Sequence, residues 1–366
     1  PLPKPGGPTV LIPLHAVSDP MILSMPPEKD FPLLDLTYKP LFACLEIRTV
    51  VSLVLGMLAL EKKIIVMSTR PSLVLDVCEL LRSLLFPFDL CAPNLPRLTE
   101  PVKTSLDFPG AIFVGIHDDG SPIGLAATVR KELPEDSIVV DLDTGEIDTF
   151  NDRAAVVKAT WDLLPKTARR ELIAELQALC GDAAIVDGQE AIDSQFDSAF
   201  DVGLTEATGF ADLGVSQAKT KEPLDDRAIR DSFLRFFCSV LGGYERYLVV
   251  PDADFLVSGD EWFDAQGFLG QVSNEKRPYL SSLVSTQLFQ SFIQKRTEAS
   301  DMHCLLFDEC IAEYHASPKP YGRLGEDMEV VDSEDVEQPR MMYSLLVDQS
   351  AAFPVCYDPS GLSANR

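Results

Sequence analysis

The chain has 366 residues, enough for two or three folding units at about 100 to 200 residues each. Hydrophobic residues make up 46% and charged residues 24%, close to the globular average, which excludes wholesale disorder, collagen-like repeats and disulfide scaffolds. Against 57 Asp and Glu stand 31 Lys and Arg; the net charge of −26 repels phosphate backbones and anionic lipid surfaces, so nucleic acid is not an expected partner.

Eight cysteines occur without a C-x-x-C pair, mostly inside apolar helical patterns, and read as reduced thiols of a cytosolic protein. The first residue is Pro1, with no basic n-region or cleavable signal, and the chain reads as an excised piece of a longer polypeptide. Its most apolar run, Thr49 to Leu60, is far shorter than the about 20 residues of a bilayer-spanning helix, so no transmembrane segment is expected.

Residues 1–35 carry the proline-rich runs PLPKPGGP and SMPPEKDFP, which predict an extended, irregular linker. From Leu41, LFACLEIRTVVSLVLGMLALE is apolar on nearly every side and predicts a helix buried on most faces. KIIVMS (Lys63 to Ser68) predicts a buried strand, and Pro71 opens a helix whose apolar face is Leu73, Val77, Leu80, Leu81 and Leu84. Two further strands are predicted, Ala111 to Ile116 before the turn HDDGSP, and Ser137 to Asp143 before Thr144-Gly145. The alternation predicts an open α/β sheet flanked by helices over residues 36–165.

Helical signals then take over. One stretch runs from about Asp152 to Cys180 and breaks near Pro165, leaving residues 166–180 as a helix of their own. Residues 181–222 hold nine Asp and Glu against two Lys with no clear period, and are expected to be a disordered acidic insert. An all-α module is predicted for 223–318. In its first helix Ile229, Phe233, Phe236, Phe237 and Val240 recur at helical spacing up to the stop at Gly242-Gly243; further helices are read over residues 277–299 and Asp301 to His315. Residues 319–366 form an acidic tail whose RMMYSLLVD segment reads as a docking peptide or an idle part of a disordered end.

The series PLLDLTYKPLFACLEIRTVVSLVLGMLALEKKIIVMS, SLVLDVCELLRSLLFPFD, LPRLTEP, FPGAIFVGIHDD and IVVDLD resembles the central module of DENN domains, exchange factors for Rab GTPases. FLRFFCSVLGGYERYL and TQLFQSFIQKR resemble the family's downstream all-helical module, and the likeness runs over about residues 10–315. The sequence departs from the family pattern in two ways: the upstream longin-like lobe is not seen, and FPFDLCAPNLP is shorter than usual and lacks a Trp.

The resemblance implies a guanine-nucleotide exchange module that promotes GDP release from a Rab-family small GTPase in vesicle trafficking, without covalent chemistry or cofactor. It also implies a missing N-terminal lobe of the same polypeptide as a partner, and a cytoplasmic location with at most peripheral recruitment to vesicle or organelle membranes. A Rab-binding adaptor without exchange activity is the alternative, motivated by the shortened FPFDLCAPNLP.

Candidate partner contacts are Phe86, Pro87, Phe88 and Asp89, which end a predicted helix beside the shortened segment; packing beneath the sheet is the other reading of Phe86 to Phe88. His117, Asp118 and Asp119 follow a predicted strand, where open α/β sheets often contact ligands, though a loop without function fits His117 as well. The aromatic set Phe233, Phe236, Phe237, Tyr244 and Tyr247 is read as core in preference to a partner groove. Asp141 and Asp143 in DLDTG resemble a phosphatase nucleophile loop that would need Mg²⁺, but Gly145 stands where that family places Thr or Val. Glu146 occupies the position an EF-hand reserves for glycine. His303, Cys304, Cys310 and His315 cannot converge on one tetrahedral metal if they share a helix. With no phosphate-binding loop, dinucleotide fingerprint or nucleophile elbow in the sequence, no catalytic, cofactor or metal residue is predicted.

Overall fold

A computed structural model describes residues 3–12, 21–27, 29–108, 110–132, 137–148, 153–180, 224–249, 262–297 and 301–316. The predicted acidic insert and tail, with RMMYSLLVD, lie outside the described residues. Two units are distinguished, residues 1–33 with 326–366, and residues 34–325.

Within the first unit, the segment read as an irregular linker contains a hairpin. β1 (Val10–Ile12) pairs antiparallel with β2 (Met21–Leu23), Val10 opposite Leu23 and Ile12 opposite Met21. Gly6 N donates to Met25 O at 3.1 Å beyond the open end.

The second unit begins with α1 (Lys39–Cys44), with Pro40 in its first turn. The single long helix expected from Leu41 is broken at once. Leu45 and Glu46 are extended, then α2 (Ile47–Val51) runs on into a π-helical stretch, Ser52–Leu58, closed by Ala59 N to Val54 O at 2.9 Å. No glycine or proline marks the break; Leu45, 1% exposed, is turned inward by its surroundings, which override local propensity. All seven residues of the π stretch are buried, as the all-round apolar pattern predicts.

Next come β3 (Lys63–Ser68), α3 (Pro71–Ser83), β4 (Asn94–Leu95), a 3₁₀ stretch over Glu100–Asp107, β5 (Phe113–His117), α4 (Leu125–Glu132), β6 (Ser137–Asp141) and β7 (Glu146–Asp148). The sheet order is β4-β5-β3-β6-β7, parallel except for β7, which returns antiparallel to β6. The expected strand to Asp143 therefore stops at Asp141, and β4, β7 and α4 were not foreseen. Every residue of β3 is buried, as a parallel strand covered on both faces should be. On one face Ile65, Met67, Val114, Ile116 and Val139 form a core with Leu98, with Leu106 of the 3₁₀ segment and with Ala126 and Val129 of α4. Gly115 in β5 permits the crossing after β4: a Cβ there would stand 2.1 Å from the Pro96 carbonyl oxygen and 2.5 Å from Val74 of α3.

The helices that follow are α5 (Arg153–Leu163), α6 (Lys166–Cys180), α7 (Asp226–Leu241), α8 (Ala265–Gln271), α9 (Arg277–Leu283), α10 (Gln287–Thr297) and α11 (Met302–Ala316). The helical spacing read over 277–299 corresponds to two helices, separated at Val284–Thr286. Gly243, at φ +82°, ends the α7 segment in the left-handed conformation that glycine adopts most readily. The observed architecture is a mixed α/β sheet followed by an all-α module, as the sequence predicts.

Acidic side chains join the two modules through helix N-termini. Asp226, at the start of α7, accepts from Tyr38 N at 2.8 Å and Thr37 Oγ1 at 3.0 Å before α1. Glu61, after the π stretch, accepts from Gln287 N at 3.0 Å and Leu288 N at 2.8 Å in the first turn of α10. Both are carboxylates placed at the positive end of a helix dipole. Replacing Glu61 by alanine should therefore lower stability by about 1 kcal/mol, seen as a lower urea midpoint with unchanged slope; an unaltered midpoint would remove the capping role.

Candidate functional site

The carboxyl ends of β3, β5 and β6 lie side by side, Ser68 opposite His117 and Met67 opposite Asp141. Strand ends of this kind are where open α/β sheets usually bind. Here the polar groups bind one another. Asp143 accepts from Ser68 Oγ and from Thr69 N, each at 2.7 Å. Asp141 accepts from Asp143 N at 3.0 Å and Thr144 N at 3.2 Å on one oxygen, and from Arg130 Nη2 at 2.9 Å on the other. Arg130 also reaches Asp118 at 3.4 Å, and His117 Nε2 lies 3.0 Å from Thr69 O. Asp118 and Asp119 cap the turn behind them, accepting from Gly120 N and Ser121 N at 3.0 Å each.

All four carboxylate oxygens of Asp141 and Asp143 are thus engaged by the chain itself, in bonds that tie the loops after β3 and β6 together. The result is a braced set of loops, Ser68–Arg70, His117–Ile123 and Asp141–Thr144, with Ile123 standing 88% exposed at its margin. Among the described residues no group of three or more His, Cys, Asp or Glu is placed to hold a metal ion. Burial pushes the thiols of Cys44, Cys304 and Cys310 up to about 12, so they stay protonated at neutral pH. His303 stacks edge-on against Phe86 at 5.5 Å, whereas His315 is exposed at the far end of α11.

The predicted contact residues divide between two places. His117, Asp118 and Asp119 sit on the rim just described. Phe86 and Phe88 are 6% and 4% exposed, and Phe88 packs against Phe237, Phe292, Phe289 and Phe307 of the helical module. Phe86 and Phe88 are therefore buried, with ring contacts to those helices. Asp89 is mostly exposed and pairs with Lys295 of α10. Phe233, Phe236, Phe237 and Tyr244 are core, while Tyr247 is partly exposed and stacks on Phe268 at 5.6 Å. Sequence reasoning missed Ser68, Thr69, Arg130 and Ile123; the spacing of Arg130, 11 residues from Asp141 and 12 from Asp118, forms no local pattern.

An α/β sheet whose rim loops are bonded to one another is thus fused, through shared core and helix caps, to an all-helical module. The chain belongs to the DENN family: residues 1–145 match the DENN (AEX-3) domain and residues 263–310 the dDENN domain. The DENN match takes in the proline-rich segment with the β1–β2 hairpin.

It is 23% identical over 314 residues, 84% of this chain, to the DENN domain and WD repeat-containing protein SCD1 of Arabidopsis thaliana. It is 22% identical over 318 residues, 87% of the chain, to mouse DENN domain-containing protein 2D. A shorter likeness, 32% over 138 residues, 37% of the chain, links it to elicitor of plant defense protein 1 of Fusarium odoratissimum, of which it covers 13%. The aligned part amounts to 23% of the Arabidopsis protein's length and 56% of the mouse protein's. No helix among the described residues is long and apolar enough to cross a membrane.

Proposed function

We propose that this chain is a guanine-nucleotide exchange module that promotes GDP release from a Rab GTPase. The observation that carries the reading is the joint match of the DENN and dDENN domains in one chain, in family order. The rim at the sheet's carboxyl end supplies a place for the GTPase, with His117, Asp118 and Asp119 as polar contacts and Ile123 as an apolar one.

The physical task is demanding, since a picomolar nucleotide is bound by about −16 kcal/mol. An exchange factor needs no bond-making step for it. It binds the empty GTPase more tightly than the loaded one, and linkage requires that nucleotide affinity falls by the same factor. A surface fits this role if it is stiff, because it must hold the switch segments away from the phosphate-gripping conformation and not yield to them. The hydrogen bonds that tie Asp141 and Asp143 to the β3 and β6 loops give the rim that stiffness.

The test is release of fluorescent GDP from a panel of Rab GTPases, with the chain alone and within any longer polypeptide that carries it. Release from at least one Rab should accelerate, and Ile123→Asp should reduce the acceleration about tenfold, a loss of about 1.4 kcal/mol of partner affinity. No acceleration of any Rab by either form would overturn the proposal. A stable Rab complex without faster release would assign the chain to the adaptor class instead.

A further inference from the structure

A cavity of about 260 Å³ is lined by Arg48, Trp161, Lys166, Arg169, Arg170 and Ile173, none of which belongs to the rim. Four cations from α2 and α6 converge there, in a chain of net charge −26. Arg48, Lys166 and Arg170 form no ion pair among the described residues. Arg169 is held in place: its guanidinium lies 4.2 Å from the centre of the Trp161 ring and donates to Trp161 O at 2.6 Å. Arg48 covers the same ring at 5.2 Å.

Like charges gathered this closely repel one another. Burial, then the fields of Arg48 and Arg170, lower the Arg169 pKa, while Asp162 opposes them. The nearby acid Glu275 is itself occupied, accepting from Thr167 N at 2.5 Å and Thr167 Oγ1 at 3.2 Å at the α6 N-terminus. Asp162 thus acts on Arg169 and Glu275 on Lys166, while four basic side chains line the hollow. Guanidinium forks match phosphate oxygens in pairs. The volume lies just below the usual range of ligand pockets, which suits a compact molecule better than a peptide.

We infer that this cavity is a binding site for a compact anion bearing two or more phosphate groups, of the phosphorylated-inositol type, either free or as a lipid headgroup. The inference is independent of the exchange reading and of the rim. Because the chain as a whole repels anionic surfaces, recognition here is local, and a membrane that is merely negative should not be held.

The indole of Trp161 provides a direct signal, and Trp262→Phe leaves it the sole tryptophan. Titration of that variant with inositol 1,4,5-trisphosphate should give a saturable change in fluorescence. Arg48→Ala with Arg170→Ala, both at exposed positions, should weaken binding about 100-fold, and the Arg→Lys pair much less. Circular dichroism would confirm that the variants fold, and binding of the single Arg170→Ala variant provides a second reading should the pair fail to. Vesicles of phosphatidylcholine with phosphatidylinositol 4,5-bisphosphate distinguish the sources: sedimentation with them supports the lipid headgroup, and binding of the soluble trisphosphate without sedimentation supports the free ligand. Absence of any saturable signal to about 1 mM, unchanged affinity in the alanine variants, or equal binding to phosphatidylserine vesicles of matched charge would overturn the assignment.

Discussion

Phe88→Ala is expected to destabilise the second unit by about 3–5 kcal/mol, the largest single effect on the fold considered. The residue comes from the loop after α3, yet its ring lies 5.0 Å from Phe237 of α7, 4.9 Å from Phe292 of α10 and 6.4 Å from Phe307 of α11. Two of these contacts come within about 5 Å and are near edge-to-face, which adds to the area term. Truncation would leave a hole walled by rigid aromatics that cannot collapse onto it, so the cavity cost is nearly undiminished. Phe88→Leu should cost less than half as much. The measurement is urea unfolding followed by both tryptophan fluorescence and circular dichroism. Because the sheet and the helical module share this cluster, both probes should report one transition, and two separate midpoints in the unmodified chain would contradict a shared core.

A second large loss is expected at Asp308, where alanine substitution should cost about 2–3 kcal/mol. Tyr244, fully buried, donates its hydroxyl to Asp308 Oδ1 at 2.5 Å, and Arg296 Nε donates to the other carboxylate oxygen. Burial, followed by the acceptor Asp308, pushes the phenol pKa far up, so the hydroxyl keeps its proton and stays a donor at every accessible pH. Alanine would strand that donor and leave a partly buried guanidinium without its acid. Asp308→Asn should retain part of the stability, since an amide oxygen still accepts. In the Asp308→Ala background, Tyr244→Phe should cost less than it does alone, because the stranded hydroxyl goes with it; equal costs in both backgrounds would show that the pair is not coupled.

What could be read from the sequence was whatever has a short period. KIIVMS, FVGIH and SIVVD are continuous apolar runs between turn signals, and α3, α7 and α11 carry a stripe at helical spacing, so their types were legible. Features decided by distant packing were not. Leu45 is extended because its burial requires it, and a two-residue β4 exists only because β5 is there to pair with it. The rim was half visible: His117 to Asp119 end a strand, but Arg130 joins Asp118 to Asp141 only after α4 has crossed the sheet. Phe86 and Phe88 looked like residues at an exposed helix end, since nothing local records that α7, α10 and α11 arrive, some 150 to 220 positions later, to cover them. The cationic hollow was invisible for a similar reason, with Arg48 and Arg169 meeting across Trp161 from separate helices.

The sheet terminates on two residues at one margin, β4, and on three at the other, β7. Outermost strands so brief offer scarcely any unpaired amides and carbonyls to a stray extended chain. A layer whose middle strands are mostly Val, Ile, Phe and Met would otherwise invite copies of itself to stack on indefinitely. Stunted borders let this protein keep an intensely oily interior while resisting fibre growth.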